Sequence, residues 1–456
     1  MSRKIAIDPD ASTSLPHDQG TRRVLYAKVA MRLVPLLIVC YIVAYLDRIN
    51  VGFAKLQMQD DLGFSDAVYG FGAGIFFIGY FLFEVPSNLL MKCIGARKTI
   101  TRIMILWGIT GCCMAYVSNA TSFCVLRFLL GVFEAGFFPG VVYYLSNWFP
   151  RQRRGQILGL FMTGFPLAGL IGGPVSGWTM THLTNVANLA GWQWVYIVEA
   201  SPAILLGIVT WFTLDDGYEH AKWLSPSEQE ILRDALRAEI EPMQKGRTGL
   251  LSGVLCDPRV YLMSFAYFTF ICGTYALSFW LPTVLHSAGV ASIERVGWLT
   301  AIPYGVAAVG MVAICRSSDR LLERRWHGAV CALTGAISLS LLPLLAHDLT
   351  ATLVLLIVAS ISVFVTIPLL WALASDYFAG SAAAAGAIAL VNSLGLLGGF
   401  VSPFAMGWLK QASGSLNSGL YLMTGLLALG ALAMLCMRFS DRSRYERLQS
   451  GLAAPR

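Results

Sequence analysis

Apolar residues run along this 456-residue chain in long stretches, broken by short polar loops. A bilayer span needs about 20 mostly apolar residues, within a range of roughly 17–25. Twelve stretches qualify: 30–53, 68–91, 100–118, 122–146, 155–179, 192–214, 259–283, 296–315, 328–346, 350–373, 382–408 and 418–438. The pattern predicts an all-α membrane protein with twelve transmembrane helices.

The longest polar interruption, Asp215–Pro258, divides these spans six and six. The expected organisation is an N-terminal tail (1–28), a six-helix bundle (29–214), a central loop (215–258), a second bundle (259–438) and a C-terminal tail (439–456). Within the loop, Ser225-Pro226-Ser227-Glu228 has the form of a capping box with proline at the first helical position. It predicts a short surface helix running to about Glu239. Of 33 lysines and arginines, 28 fall on the side that carries the tails and the central loop, and only Lys55, Arg295 and Lys410 on the other. Positive charge marks the cytoplasmic side, so both termini and the central loop are expected there.

Composition agrees with the pattern. Charged residues make up 13% of the chain and hydrophobic residues 56%, against about 25% charged in soluble domains; mean hydropathy is +0.64. The polar stretch Met1–Lys28 has no apolar core of a signal peptide, so the first span is expected to be retained. The net charge of +7 sits in loops flanking spans, which argues for a bilayer partner and against nucleic acid. The ten cysteines form no Cys-x-x-Cys pair and most lie in apolar runs, as small buried hydrophobes do. Six scattered histidines offer no metal-ligand spacing. No cofactor or metal is expected.

Four charges break the apolar pattern: the adjacent pair Asp47-Arg48, and Arg127 with Glu134. A charge at bilayer depth costs about 2.5–3.5 kcal/mol on insertion scales and marks an ion or substrate path. Neighbours on a helix point about 100° apart, so Asp47 and Arg48 are expected to find partners on other helices. Arg127 and Glu134 are seven residues apart and share a face. Guanidinium groups grip carboxylates bidentately, whereas acids carry protons. Two acids and two bases therefore suggest an anion site that handles protons. The alternative is a purely structural salt-bridge cluster.

The halves look duplicated. Leu170-Ile171-Gly172-Gly173, leading to Gly177-Trp178, recurs as Leu396-Leu397-Gly398-Gly399, leading to Gly407-Trp408. Paired six-helix halves with midplane sites are a transporter architecture, and glycines permit close helix approach.

Longer motifs carry a resemblance. Tyr45-Leu46-Asp47-Arg48-Ile49-Asn50 is joined by Gly72-Ala73-Gly74 through Gly79-Tyr80 and by Glu84-Val85-Pro86-Ser87-Asn88. Leu126-Arg127-Phe128, Glu134-Ala135-Gly136-Phe137-Phe138-Pro139-Gly140, Trp148-Phe149-Pro150 and Trp192-Gln193-Trp194 continue the pattern. Together they resemble the anion:cation symporter family of the major facilitator superfamily, in the branch of tartrate, phthalate, hydroxyphenylacetate and sugar-acid permeases. The resemblance implies two pseudo-symmetric six-helix bundles working as a monomer in the bacterial inner membrane. It implies proton-coupled import of a small organic carboxylate by alternating access, with no enzymatic activity.

By the same resemblance, Arg48 and Arg127 bind the carboxylate, Asp47 and Glu134 carry protons, and Tyr45, Tyr80, Trp371 and Asn392 line the pocket. A Glu134 in contact with Arg48 stays ionised until substrate competes for the arginine. Glu84 is expected to be structural or gating. Glu199, placed near the outer end of the sixth span, is expected either to anchor at the interface or to serve the function.

Two departures qualify the resemblance. Lys92-Cys93-Ile94-Gly95-Ala96-Arg97-Lys98 lacks the acid that Ser318-Asp319-Arg320 keeps in the second half, and Phe165 stands where sugar-acid relatives carry glutamine. The rival reading is a proton-coupled drug or metabolite exporter, because Gly169 to Gly177 approaches the antiporter motif of the superfamily. A membrane sensor lacks an output domain, and an intramembrane enzyme lacks a nucleophile–base pair.

Overall fold

The computed structural model describes residues 19–244, 257–378 and 384–437. Residues 1–18 of the expected N-terminal tail, 245–256 of the expected central loop and the whole expected C-terminal tail, 439–456, lie outside the described residues. Twelve helices are long and apolar enough to cross a membrane. In order they are Gly20–Leu62, Asp66–Ile94, Ala96–Tyr116, Ala120–Ser146, Arg153–His182 and Gly191–Thr213, then Pro258–Ser287, Ile293–Leu321, Arg325–Leu344, Leu349–Phe378, Gly386–Ser413 and Asn417–Cys436. Each contains the bulk of the stretch expected from hydropathy. The first runs furthest beyond it, because helical hydrogen bonding continues into polar turns where apolar character stops.

The fourth span is not one smooth helix, as the apolar run predicted. It stops at Glu134 and restarts at Phe137. Gly136 adopts φ +88°, where a side chain would be strained, and Pro139 has no N–H to return to the carbonyl of Ala135. The break leaves Glu134 at a helix end, free of the regular ladder beyond it.

Between the halves the central segment carries the expected capping box. The Ser225 backbone N–H donates to Glu228 Oε2 at 2.8 Å, and the Glu228 N–H donates to Ser225 Oγ at 3.2 Å. The helix runs Pro226–Gln244, somewhat beyond Glu239. Ile231 and Leu232 are buried beneath it, and Glu228 pairs with Lys28 at 2.8 Å. The Lys28 ammonium holds the Glu228 carboxyl below its usual range, helped by the Ser225 N–H. The loop that lacks an acid receives one from this segment: Asp216 Oδ1 accepts from the Arg97 N–H at 2.8 Å, beside Gly95. In the second half Asp319 pairs with Arg324 at 2.9 Å, and Arg324 also reaches Asp376 at 2.9 Å.

On the face away from the central segment the halves meet without side chains between them. A Cβ on Gly173 would lie 2.5 Å from the Gly297 carbonyl oxygen, and one on Gly297 2.3 Å from that of Gly173. Equivalently, a Cβ on Gly70 would lie 2.3 Å from the Pro403 oxygen, and one on Gly407 2.3 Å from that of Asp66. The duplicated motif thus forms the same seam twice, fifth span on eighth and eleventh on second. A charged cluster fills the space between. Lys55, only 3% exposed, reaches Asp66 at 2.9 Å, and Lys410 reaches the same oxygen at 3.0 Å. The Lys55 ammonium lies 3.6 Å from the Trp280 ring centroid.

Candidate functional site

Sealed on that face, the halves diverge towards the other and enclose a cavity of about 400 Å³. Its mouth, at Arg316 and Asp319, lies on the side of the central segment. Tyr41, Tyr45 and Arg48 recur at helical spacing on the first span, so one stripe of that helix faces the cavity. Tyr80 and Glu84 do the same on the second span.

Arg48 is the centre of the wall. Its guanidinium forms an ion pair with Glu134 and donates to the Tyr275 hydroxyl at 3.1 Å, which ties the first half to the second. The rings of Tyr45, Phe76 and Tyr80 surround it at 4.9, 5.3 and 5.5 Å. Two atoms of the pair are unsatisfied among the described residues: Arg48 Nε donates to nothing and Glu134 Oε2 accepts nothing, and both are buried. A buried polar group left unpaired costs about 1–3 kcal/mol. The pair is therefore incomplete as it stands. A carboxylate oxygen would satisfy the N–H, and the free carboxyl oxygen is the place for a proton.

Asp47 points elsewhere, as adjacency predicted. It accepts from Trp107 Nε1 of the third span at 2.7 Å and from Asn50 Nδ2 at 3.2 Å. Arg127 is 0% exposed and does not line the cavity. It donates to the Gly72 and Ala73 carbonyls at 3.4 Å each and lies 5.1 Å from the Phe76 ring centroid. The Phe76 ring therefore neighbours both guanidinium groups. Arg127 interacts electrostatically with both Asp47 and Glu134, so the four charges form one cluster of which only Arg48 and Glu134 reach the cavity.

Of the expected lining residues, Tyr45, Tyr80, Trp371 and Asn392 all line the cavity. Trp371 packs edge-on against Tyr267 at 5.1 Å. Phe165 occupies the fifth-span position, against Tyr45 at 4.6 Å and Phe364 at 5.0 Å. Trp280 belongs to the sealed face, and Tyr304 lies behind Phe165 and bonds Ser278 at 3.2 Å.

Of the two readings of Glu199, the structure removes interfacial anchoring. Glu199 is 2% exposed inside the first half and accepts from Ser176 Oγ at 2.5 Å, because its helix turns it inward below Trp194. Glu84 lines the cavity and accepts from Asn392 Nδ2, of the other half, at 3.2 Å. The Lys55–Asp66–Lys410 cluster was not foreseen: in the sequence these residues lie at span ends, where they read as loop charges. The nine described cysteines are free thiols, and no group of three His, Cys, Asp or Glu able to hold a metal occurs among the described residues.

Two pseudo-symmetric six-helix bundles around one central cavity, closed at one end and open at the other, define a polytopic membrane transporter. A model of the Major Facilitator Superfamily matches residues 37–395, and the chain belongs to that family. It is 45% identical over 90% of its length to a "Putative tartrate transporter" of Agrobacterium vitis, covering 94% of that protein. It is 41% identical over 88% of its length to a "Quinolone resistance transporter" of Acinetobacter baumannii, covering 92% of that protein. The fold matches the inward open conformation of the xylose transporter XylE from E. coli with a TM-score of 0.71 at 15% identity, covering 92% of this chain and 99% of that one.

Proposed function

We propose that this protein is a monomeric, proton-coupled importer of a small organic carboxylate, with both termini and the central segment cytoplasmic. The observation that carries the reading is the incomplete Arg48–Glu134 pair in the cavity wall. In the proposed cycle the substrate carboxylate accepts from Arg48, which releases Glu134 to take a proton. Loaded site and proton then cross together as the halves rock. On the other side, loss of the proton from Glu134 restores the pair and expels the substrate. Arg127 and Asp47 are the inner station of this relay, behind the cavity wall. Tyr45, Tyr80, Trp371 and Asn392 shape the pocket. The rings of Tyr45, Phe165, Tyr267 and Trp371 favour a planar acid over a polyhydroxylated one. Similarity to a tartrate transporter supports a carboxylate cargo.

One observation favours a second reading, export of a drug or metabolite against protons: the relative named for quinolone resistance. A single experiment separates the two. Proteoliposomes are given tartrate, phthalate, hydroxyphenylacetate or a sugar acid, with the pH gradient imposed in either direction. Symport requires uptake of one acid when the outside is acidic, loss of uptake in Arg48→Gln, and uptake no longer driven by the gradient in Glu134→Gln. Accumulation driven only by an acidic lumen would instead establish the exporter.

A further inference from the structure

Within the cavity the charges are unevenly placed. Arg48 pairs with Glu134 and Asp319 with Arg324, while Arg316 stands at the mouth and Glu84 is left as an acid on the wall of a site meant for an anion. Glu84 forms no ion pair among the described residues. Its only side-chain partner among them is the Asn392 amide, which donates to one oxygen at 3.2 Å, an arrangement that solvates a carboxylate as acceptor. The carboxylate is partly exposed and free to accept again.

Its position is defined relative to Arg48. Tyr80 stands between them, its ring centroid 5.5 Å from the Arg48 guanidinium carbon. Glu84 follows Tyr80 by four residues on the same helical face, roughly 6 Å along the axis. The positive and negative poles therefore both face the one cavity, with Tyr80 against the first and a helical turn from the second. The intervening wall is aromatic, with Tyr80 on one side and Tyr267 and Trp371 on the other.

We propose that the cargo is an aromatic carboxylate carrying a cationic nitrogen at its far end, with its carboxylate on Arg48, its ring against Tyr80 and Trp371, and its ammonium on Glu84. This deepens the proposed function and rests on it. A plain monoanion would fill only the Arg48 pole and face Glu84 with nothing to offer it. A zwitterion satisfies both poles, and Asn392 holds the Glu84 oxygen that receives it.

The test compares two acids of equal shape, 4-(aminomethyl)benzoate and 4-methylbenzoate, in proteoliposomes holding the parent or Glu84→Gln. The parent is expected to favour the aminomethyl acid in kcat/KM by about tenfold, the value of one charge-assisted hydrogen bond. Glu84→Gln should abolish that preference, bringing the ratio of the two acids' kcat/KM to about one. Equal losses for both acids in the variant overturn the proposal. So does a parent that prefers the methyl acid or takes neither while moving tartrate or phthalate, a result that leaves the carboxylate importer standing. The parent ratio decides alone where the variant fails to fold. A parent that moves no carboxylate at all overturns the proposed function and this inference with it.

Discussion

The seam on the closed face makes a quantitative prediction. A Cβ at Gly70 would sit 2.3 Å from the Pro403 carbonyl oxygen, where real Cβ contacts stay above 3.0 Å. Both partners are backbone, so no rotamer change relieves the clash, and the second and eleventh spans must separate by about 0.7 Å. Overpacking of this kind costs about 1–3 kcal/mol. Here the cost falls only on the state in which this face is closed, because the two spans belong to different halves. Gly70→Ala should therefore raise the ratio of open to closed on that face by about 5- to 140-fold. Spin labels at Asp60→Cys and Ser413→Cys, in a chain whose other cysteines are serine, report the distance across the seam. The parent should give a short distance, and Gly70→Ala a much larger share of a long one. Gly131→Ala is the control: its Cβ would lie within van der Waals overlap of the Phe76 oxygen, 1.9 Å away and inside a single half. That variant should lose folded yield and melting temperature without moving the distance distribution. Unchanged distances in Gly70→Ala, or identical behaviour of the two variants, would refute the argument.

Further expectations follow from the charges. Asp66→Asn leaves Lys55 buried without its anion, and removing one partner of a buried pair costs about 3–5 kcal/mol; the same spin labels should report an opened face, with Lys410→Ala milder because Lys55 keeps Asp66. Arg127→Met should weaken transport while leaving the equilibrium affinity for a carboxylate within about threefold, since Arg127 does not line the cavity; ligand-induced tryptophan quenching measures this, and a large loss of affinity would place Arg127 at the substrate instead. The Lys28–Glu228 contact supplies the pH prediction. Glu228 is held below its usual range, so the contact's contribution is present above the unfolded value of about 4.3 and fades only as pH falls through the lower folded value. Proteolysis of the segment around Pro226–Gln244 should be unchanged from pH 8 to 5, and faster throughout that range in Lys28→Ala.

Much of this was legible along the chain because a bilayer imposes a length rule on every span, and because charge inside a span is rare enough to stand out. The repeated glycine motif was legible too, but not what it touches: sequence places Gly173 and Gly407 on helices and is silent on which helix faces them. The same gap separates Arg48 from Arg127. Each is an arginine inside an apolar span with an acid on the same helix, and only packing turns one into the cavity and the other away from it. The break after Glu134 was hidden because Ala135 and Gly136 extend an apolar run, and hydropathy does not register φ. Lys55, Asp66 and Lys410 were hidden for the opposite reason. They stand at span ends, where charge is ordinary, and acquire meaning only when two halves close over them.

The seam has a consequence for speed. At both glycine crossings the barrier to passage is made of main chain against main chain, with few side-chain bonds beside it. Such a closure is shut to small solutes through proximity alone, and parting it forfeits only short-range dispersion. The directional bonds of the closed face are concentrated at Lys55, Asp66 and Lys410, at the Tyr69 hydroxyl, which donates to the Phe279 oxygen at 3.2 Å, and at Gln411, which accepts from the Ala67 N–H at 3.2 Å. Opening of this face then has to break a few polar bonds rather than a whole interface, and substitutions at these five residues are expected to tune how often it opens.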